Sequence, residues 1–487
     1  MPLGATTKCE VSKDSLRRIL LQLDCHFTWR LLKEDISPEE LEERIADQMD
    51  FLPSRSKIQN YNLLAYVNHL NGKKEAALEN LQKAEEAVQT ECPKAIEKAS
   101  LVTWGNYAWI YYHMDQLEKM QEYIKKVESV CKQNGSTTPY KMKLPHIYCE
   151  KGWALFKFGP SYFEKAMESF AEALQEEPQD PECNAGYAIA LYRMEDYYGK
   201  KSSAEGSSLE PLRRATSLNP NDPFVVPIFA LKLQEIGQVE EGEKYIKEAL
   251  ENNPDSPYVL RYAAKWYRKK GDVIKSLEFL KKALGLTPNS GFLHHQVGVC
   301  YRTQFFGMKM AKSQVREQME ELIRHCIFHF QETVKHKTKF VYAYMDLAGM
   351  YAEAKRFQEA EEAFQKVFAM TKLTCEDQQQ LHFLYGRYQQ FQKKSESEAV
   401  KHYLNGMKIE KESYPREKCK MNCKKLIENK IKKGAGEAKS FGILGYIHQL
   451  DGERQQAVEC YERALEMDPD NEEYLSALWA LRLSLQS

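Results

Sequence analysis

Four times in this 487-residue chain, an alanine followed five positions later by a proline closes a run of helical pattern: ALQEEP at Pro178, ALENNP at Pro254, ALGLTP at Pro288 and ALEMDP at Pro469. Two of these runs are in register. Gly237 and Gly271, Ala249 and Ala283, and Ala230 and Ala264 all lie 34 residues apart. A fixed period of that length means a stack of one supersecondary unit, because a single unit cannot bury its own apolar face without a neighbour. Within the unit, Ala166 and Phe170 stand seven and three positions before Ala173, as Ala457 and Tyr461 do before Ala464. Small residues let the two helices of a unit approach, the aromatic fills the gap to the next unit, and proline ends the pair.

A 34-residue helix–turn–helix repeat is the tetratricopeptide period. The expected fold is therefore an all-α tetratricopeptide-repeat solenoid, a right-handed superhelix with a concave inner surface. Weaker copies begin at Tyr61, Trp104, Tyr342 and Tyr385, for about nine repeats in all. Two repeats carry insertions, at 197–208 and 305–318, expected as loops between their two helices. Roughly 55 residues precede the first clear repeat; Leu16, Ile19, Leu20 and Leu23, then Leu41, Ile45 and Met49, give them a helical pattern suited to a cap on the solenoid end.

Lys plus Arg number 69 against 70 for Asp plus Glu, so any electrostatic function must come from local clustering. The N-terminal stretch lacks a signal-peptide core, Pro2 excludes myristoylation, and the final LSLQS has no prenylation cysteine. No segment approaches 18 uncharged apolar residues, so no membrane contact is expected. Twelve scattered cysteines fit small apolar fillers in a reducing compartment, and the cytoplasm is the expected location.

The usual catalytic and nucleotide-binding fingerprints are missing, which points to a binding protein and not an enzyme. His325 and His329 share a helix face but lack an identifiable third ligand, and are read as packed helical histidines. Cys419 and Cys423 have the same spacing without a second pair, and DPDNEEY near the C-terminus lacks the loop glycine of a calcium site.

The informative pattern follows Pro254, where Tyr258, Arg261, Tyr262, Lys265 and Arg268 recur at three- and four-residue spacing on one helix face. Adding 34 carries Arg261 and Tyr262 onto His295 and Gln296, and Arg268 onto Arg302. First helices line the concave surface of such solenoids, and cations interleaved with tyrosines suit the phosphates and stacked bases of a single strand. A solvated helix face and a carboxylate clamp for peptides are the competing readings. In SPEELEERIADQMDFL, Glu40, Arg44 and Gln48 share a polar face, where a surface Glu40–Arg44 pair is the plain reading. Near the C-terminus, eight Lys or Arg against two Glu between 416 and 433 suggest either a solvated helix or a phosphate-backbone track.

With these residues in hand, the chain resembles the interferon-induced proteins with tetratricopeptide repeats over essentially its whole length. The resemblance is carried by CHFTW at 25–29, NLLAYV at 62–67, SLVTWGNYAW at 100–109, CEKGWAL at 149–155, ALKLQ at 230–234, EGEKYI at 241–246, RYAAKWYR at 261–268 and LHHQ at 293–296. It is most similar to the branch that holds single-stranded RNA by a 5′-triphosphate. The resemblance implies a cationic tunnel for the 5′ end of viral RNA, without catalysis or a resident cofactor. It assigns Gln48, Lys157 and Arg193 to the phosphates, and Glu40 to a metal ion held against them. Tyr258, Arg261, Tyr262, Arg268, His295 and Gln296 would contact sugars, bases and backbone.

Phe163 replaces a tyrosine of that branch. Arg44 instead resembles the branch that binds capped RNA, which also uses a tryptophan matching Trp153. The segment near 305–318 looks shorter than in the triphosphate branch. The alternatives left open are binding of capped RNA lacking 2′-O-methylation, in competition with translation initiation factors, and a protein scaffold partnered by other family members. On this reading residues 1–140 form the cap and first repeats, 141–335 line the RNA tunnel, and 336–487 are C-terminal repeats with the basic tract.

Overall fold

In the computed structural model, residues 13–51, 56–198, 207–311, 315–371 and 373–486 are described, and they are helical with no strand among them. The chain divides into two compact units, Met1–Pro288 and Asn289–Ser487.

In the N-terminal unit, paired helices run from Lys57–Leu70 with Lys74–Glu91 to Pro257–Lys270 with Val273–Leu286. Local chemistry sets their ends: Pro145 and Pro257 open first helices, where a missing N–H costs nothing. Gly271, at φ 94°, closes the Pro257–Lys270 helix in a left-handed conformation that a side chain would resist. Between repeats the packing device is an aromatic ring against glycine. Phe170 is fully buried, and a Cβ on Gly152 or Gly186 would fall 2.7 or 2.3 Å from its ring. The ring thus lies between the first helices of two successive repeats, and only glycine leaves it room. Phe330 against Gly298, and Tyr403 against Gly386, repeat the device in the C-terminal unit.

Ahead of the first repeat, the described residues 13–51 do more than cap the solenoid end. Lys13–Leu20 and Pro38–Phe51 are helical as their patterns predict, but the segment between them threads among the repeats. The His26 amide donates to Asn106 Oδ1 at 3.2 Å, Trp109 Nε1 donates to the Leu20 carbonyl at 3.2 Å, and the Tyr162 hydroxyl donates to Asp35 Oδ2 at 2.7 Å. Leu20, Leu23, Cys25 and Ile45 join one apolar core with residues as distant as Trp266. Burying that surface against several repeats removes more apolar area from water than covering one solenoid end would.

The expected loops also need correction. Phe305–Met310 continues the Gly291–Met310 helix, and Arg316 already opens the next, Arg316–His336. Phe305 is buried and Lys309 pairs with Glu353 at 2.5 Å, so this extension is packed and charge-compensated. Of the 197–208 insertion, Tyr197 and Tyr198 end a helix and 199–206 lie outside the described residues. Its flanks are held firmly: Glu195 accepts from the amide and hydroxyl of Ser208, both at 2.7 Å, and pairs with Lys232 Nζ at 2.5 Å, with both charged side chains about nine-tenths buried.

In the C-terminal unit the basic tract lies on the Tyr414–Lys432 helix. Lys420 and Lys424 face Asp451, Lys430 pairs with Glu437 at 3.0 Å, and Arg416 pairs with Glu412. Half of the tract's cations are thus compensated by acids, one of which, Asp451, comes from another part of the chain, which removes the basis for a continuous phosphate track. The final helix, Glu472–Gln486, exposes Leu475, Trp479 and Leu483 at four-residue spacing.

Candidate nucleic-acid interface

Tyr262 organises the cationic residues of the N-terminal unit. Its side chain is 3% exposed, and its hydroxyl accepts from Arg193 Nη2 at 2.7 Å and from Arg261 Nη2 at 3.0 Å. Two guanidinium groups, one from the Pro181–Tyr198 helix and one from the residue before Tyr262 on its own helix, therefore meet on one oxygen. The Arg261 guanidinium also lies 4.8 Å from the Tyr258 ring centroid and 4.7 Å from that of Tyr262. Burial alone would raise the Tyr262 phenol, but Arg193 and Arg261, helped by Lys265, outweigh it and hold the group below the ordinary tyrosine range. A buried phenol shifted that way reports a strongly positive local potential.

The Pro38–Phe51 helix brings a fourth cation. Arg44 Nη2 donates to the Lys157 carbonyl at 2.5 Å, and Lys157 Nζ donates to Asn60 Oδ1 at 2.8 Å. Solvent reaches the Arg44 side chain, yet the surrounding protein desolvates it, and Arg261 adds like-charge repulsion; together they lower its pKa against the opposing pull of Tyr258 and Glu40. A side chain that solvent reaches although protein surrounds it lines a solvent-accessible enclosure. Tyr258 and Arg261 act on Arg44 there, although more than two hundred residues separate them from it.

One acidic side chain nearby, Glu150, does little to cancel this charge. Burial pushes the Glu150 carboxyl up to about 8, against the pull of its hydrogen bond from Asn62 Nδ2 at 2.9 Å, so near neutral pH it is mostly protonated. Glu40 and Asp47 act electrostatically on Arg44 and Tyr258 from the Pro38–Phe51 helix, where Gln48 is half-buried one turn beyond Arg44. Among the described residues the one group of three or more His, Cys, Asp or Glu side chains with metal-ligand spacing is Cys149, Asp180 and Cys183, and Glu40 is not part of it.

The tyrosines do not form the open stacking platform that their spacing suggested. Tyr258 and Tyr262 are buried with Arg261 beside their rings, so they shape and polarise the wall. Trp153 is likewise buried, edge-on to Phe170 at 5.2 Å and to Phe156 at 5.8 Å. Phe163 stacks on Phe156 at 5.1 Å. Arg268 is half-buried near the end of its helix.

His295, Gln296 and Arg302 belong to the C-terminal unit. There His295 Nε2 donates to Asp346 Oδ2 at 3.0 Å, Gln296 Nε2 donates to His295 Nδ1 at 3.3 Å, and Arg302 pairs with the same aspartate. Asp346 was not legible in the repeat pattern, because the long insertion before it breaks the 34-residue register. His329 and His294 are hydrogen-bonded through their Nδ1 atoms at 3.0 Å, and His325 stacks on Tyr301 at 4.7 Å.

Paired helices locked by rings against glycines, with cations gathered on their first helices, define a tetratricopeptide-repeat binding protein. Tetratricopeptide-repeat family models match residues 101–134, 341–379 and 438–471. The chain is 46% identical over 465 residues to the human antiviral innate immune response effector IFIT1, covering 94% of this chain and 96% of that protein. It is similar in structure to the human IFIT1 dimer with PPP-AAAA, with a TM-score of 0.82 and 45% identity over 93% of this chain and 100% of that one. The human IFIT1 dimer with m7Gppp-AAAA gives a TM-score of 0.83 and 46% identity over the same shares. The chain belongs to the family of interferon-induced proteins with tetratricopeptide repeats. Among the described residues, no helix is long and apolar enough to cross a membrane.

Proposed function

We propose that this protein is a non-enzymatic antiviral effector that captures the 5′-triphosphate end of single-stranded viral RNA and sequesters it in the cytoplasm. The observation that carries this reading is the buried Tyr262 hydroxyl held between Arg193 and Arg261, beside the enclosure that Arg44 lines. A triphosphate is the RNA end with the highest charge density, and preorganised guanidinium groups match phosphate oxygens in pairs. Arg193, Lys157 and Gln48 take the phosphates; Tyr258, Arg261, Tyr262 and Arg268 take the first nucleotides and backbone. Glu40 helps to hold a hard cation against the RNA phosphates, since carboxylate and phosphate oxygens are the ligands such an ion takes. The likeness to human IFIT1, solved with PPP-AAAA, supports the same ligand.

A second reading, capped RNA lacking 2′-O-methylation, is favoured by Arg44, whose guanidinium lines that enclosure. Human IFIT1 has also been solved with m7Gppp-AAAA. The deciding experiment is one RNA body carrying a triphosphate, a cap, or a cap with 2′-O-methylation, titrated at several stated salt concentrations. The triphosphate RNA is expected to bind most tightly, with affinity falling linearly in log salt. Tighter capture of the cap would transfer the assignment to the second reading.

Tyr262→Phe keeps the ring but removes the oxygen that both arginines address. Loss of one charge-assisted hydrogen-bond acceptor is worth about 1.5 kcal/mol or more, so triphosphate affinity is expected to fall roughly tenfold as the arginines lose their alignment, while the melting temperature drops by only about 2–6 °C. Equal affinity in fluorescence anisotropy would show that the hydroxyl does not preorganise the site. The exposed Leu475, Trp479 and Leu483 on the last helix suit self-association, in line with the dimer seen for human IFIT1.

A further inference from the structure

Cys149 and Cys183 are one 34-residue period apart, at the same position of two successive first helices. Cys149 lies in the Pro145–Lys157 helix and Cys183 in the first turn of Pro181–Tyr198, each 3% exposed. Asp180 immediately precedes the second helix, and its Oδ1 accepts from the Cys183 amide at 2.6 Å. The two sulfurs and a carboxylate oxygen of Asp180 all lie within 4.8 Å of one another. Tetrahedral zinc, with Zn–S of about 2.3 Å and Zn–O of about 2.1 Å, needs ligand atoms roughly 3.5–4 Å apart, which small side-chain rotations supply here.

We propose that Cys149, Asp180 and Cys183 form a binding site for a thiophilic divalent cation of the zinc class, with water in the fourth position. Two thiolates and one carboxylate neutralise the ion with one negative charge to spare, and the sulfur pair selects against magnesium and calcium. The N-terminus of the Pro181–Tyr198 helix favours the Cys183 thiolate. Without the ion, the hydrogen bond from Cys183 and burial hold the Cys149 thiol well above its usual range, and the Cys183 thiol is also raised, because the lowering effect of its bond with Cys149 is outweighed by burial together with Asp180 and Glu182. Binding therefore releases two protons as two metal–sulfur bonds form. The ion would tie together the helices that carry Lys157 and Arg193, so it acts as a staple beside the candidate RNA site; the metal proposal itself stands whether or not RNA is the ligand.

The test is a cobalt titration of the full-length, reduced, metal-stripped protein. Wild type is expected to develop a thiolate-to-cobalt charge-transfer band that saturates at one equivalent and is displaced by zinc. Cys149→Ser with Cys183→Ser should abolish the band, and Asp180→Asn should keep it while weakening affinity by about tenfold or more, because first-shell ligands matter at least as much as their supports. Cys419→Ser with Cys423→Ser, which alters the other close cysteine pair, should leave the band intact. Circular dichroism confirms that each variant is folded, and zinc should raise the melting temperature of wild type but not of the Cys149/Cys183 variant. No band in wild type, or an undiminished band in the Cys149/Cys183 variant, overturns the proposal.

Discussion

Replacing Arg193 and Arg261 together with glutamate is expected to weaken capture of triphosphate RNA by about a thousandfold or more. Removing one member of a buried charge pair costs roughly 2–5 kcal/mol, so two removals amount to at least 4 kcal/mol, or about three decades in affinity, before repulsion from the new carboxylates is added. The loss should also flatten the salt dependence, because each lost phosphate contact takes about 0.7 from the slope of log K against log salt on a single strand. Titrations at three salt concentrations read both quantities, with circular dichroism as the control for folding. Retention of affinity within about threefold of wild type would sink the assignment of the enclosure as the phosphate site. The two arginines are a stringent choice because they converge on one oxygen, Tyr262 Oη, from different helices.

Phe170→Ala is expected to be the most damaging single truncation in the N-terminal unit, at about 3–5 kcal/mol. The ring is fully buried, packs edge-on to Trp153, and fills the space that Gly152 and Gly186 leave open. Those glycines cannot move in to close the cavity, since both belong to helices fixed by other neighbours. Stability in a repeat stack is a sum of units and the interfaces between them, so the damage should concentrate on the repeats flanking the ring. Hydrogen exchange is the suitable measurement. Faster exchange limited to the Pro145–Lys157 and Pro181–Tyr198 helices is expected, whereas unchanged exchange there would show that the ring is not the inter-repeat spacer.

The repeat architecture was legible because it is written locally and often. Ala173, Ala249, Ala283 and Ala464 each precede a terminating proline at the same distance, and the small-before-large order that places Phe170 also places Tyr461. The cationic stripe was legible for the same reason, since Arg261 and Tyr262 sit on one regular helix. What lay beyond reach was whatever depends on contacts distant in the chain. No periodicity announces that Arg44 stands within electrostatic reach of Arg261, or that the segment around His26 threads among the repeats. The basic tract misled because the acid that faces Lys420 and Lys424, Asp451, comes from another part of the chain. The burial of Tyr258 and Tyr262 was missed for a different reason: spacing says which side chains share a face, not whether that face is open. Cys149 and Cys183 were within reach, because the period that aligned the alanines also aligns them.

The grip of Glu195 on Ser208 and Lys232 bears on how firmly Arg193 is held. Glu195 binds both at once, so three successive helices, Pro181–Tyr198, Leu209–Leu218 and Val225–Glu235, are pinned together at a single, largely buried carboxylate. The helix that presents Arg193 is therefore anchored to the next repeat two residues from that arginine, which limits how far its guanidinium can drift from Tyr262.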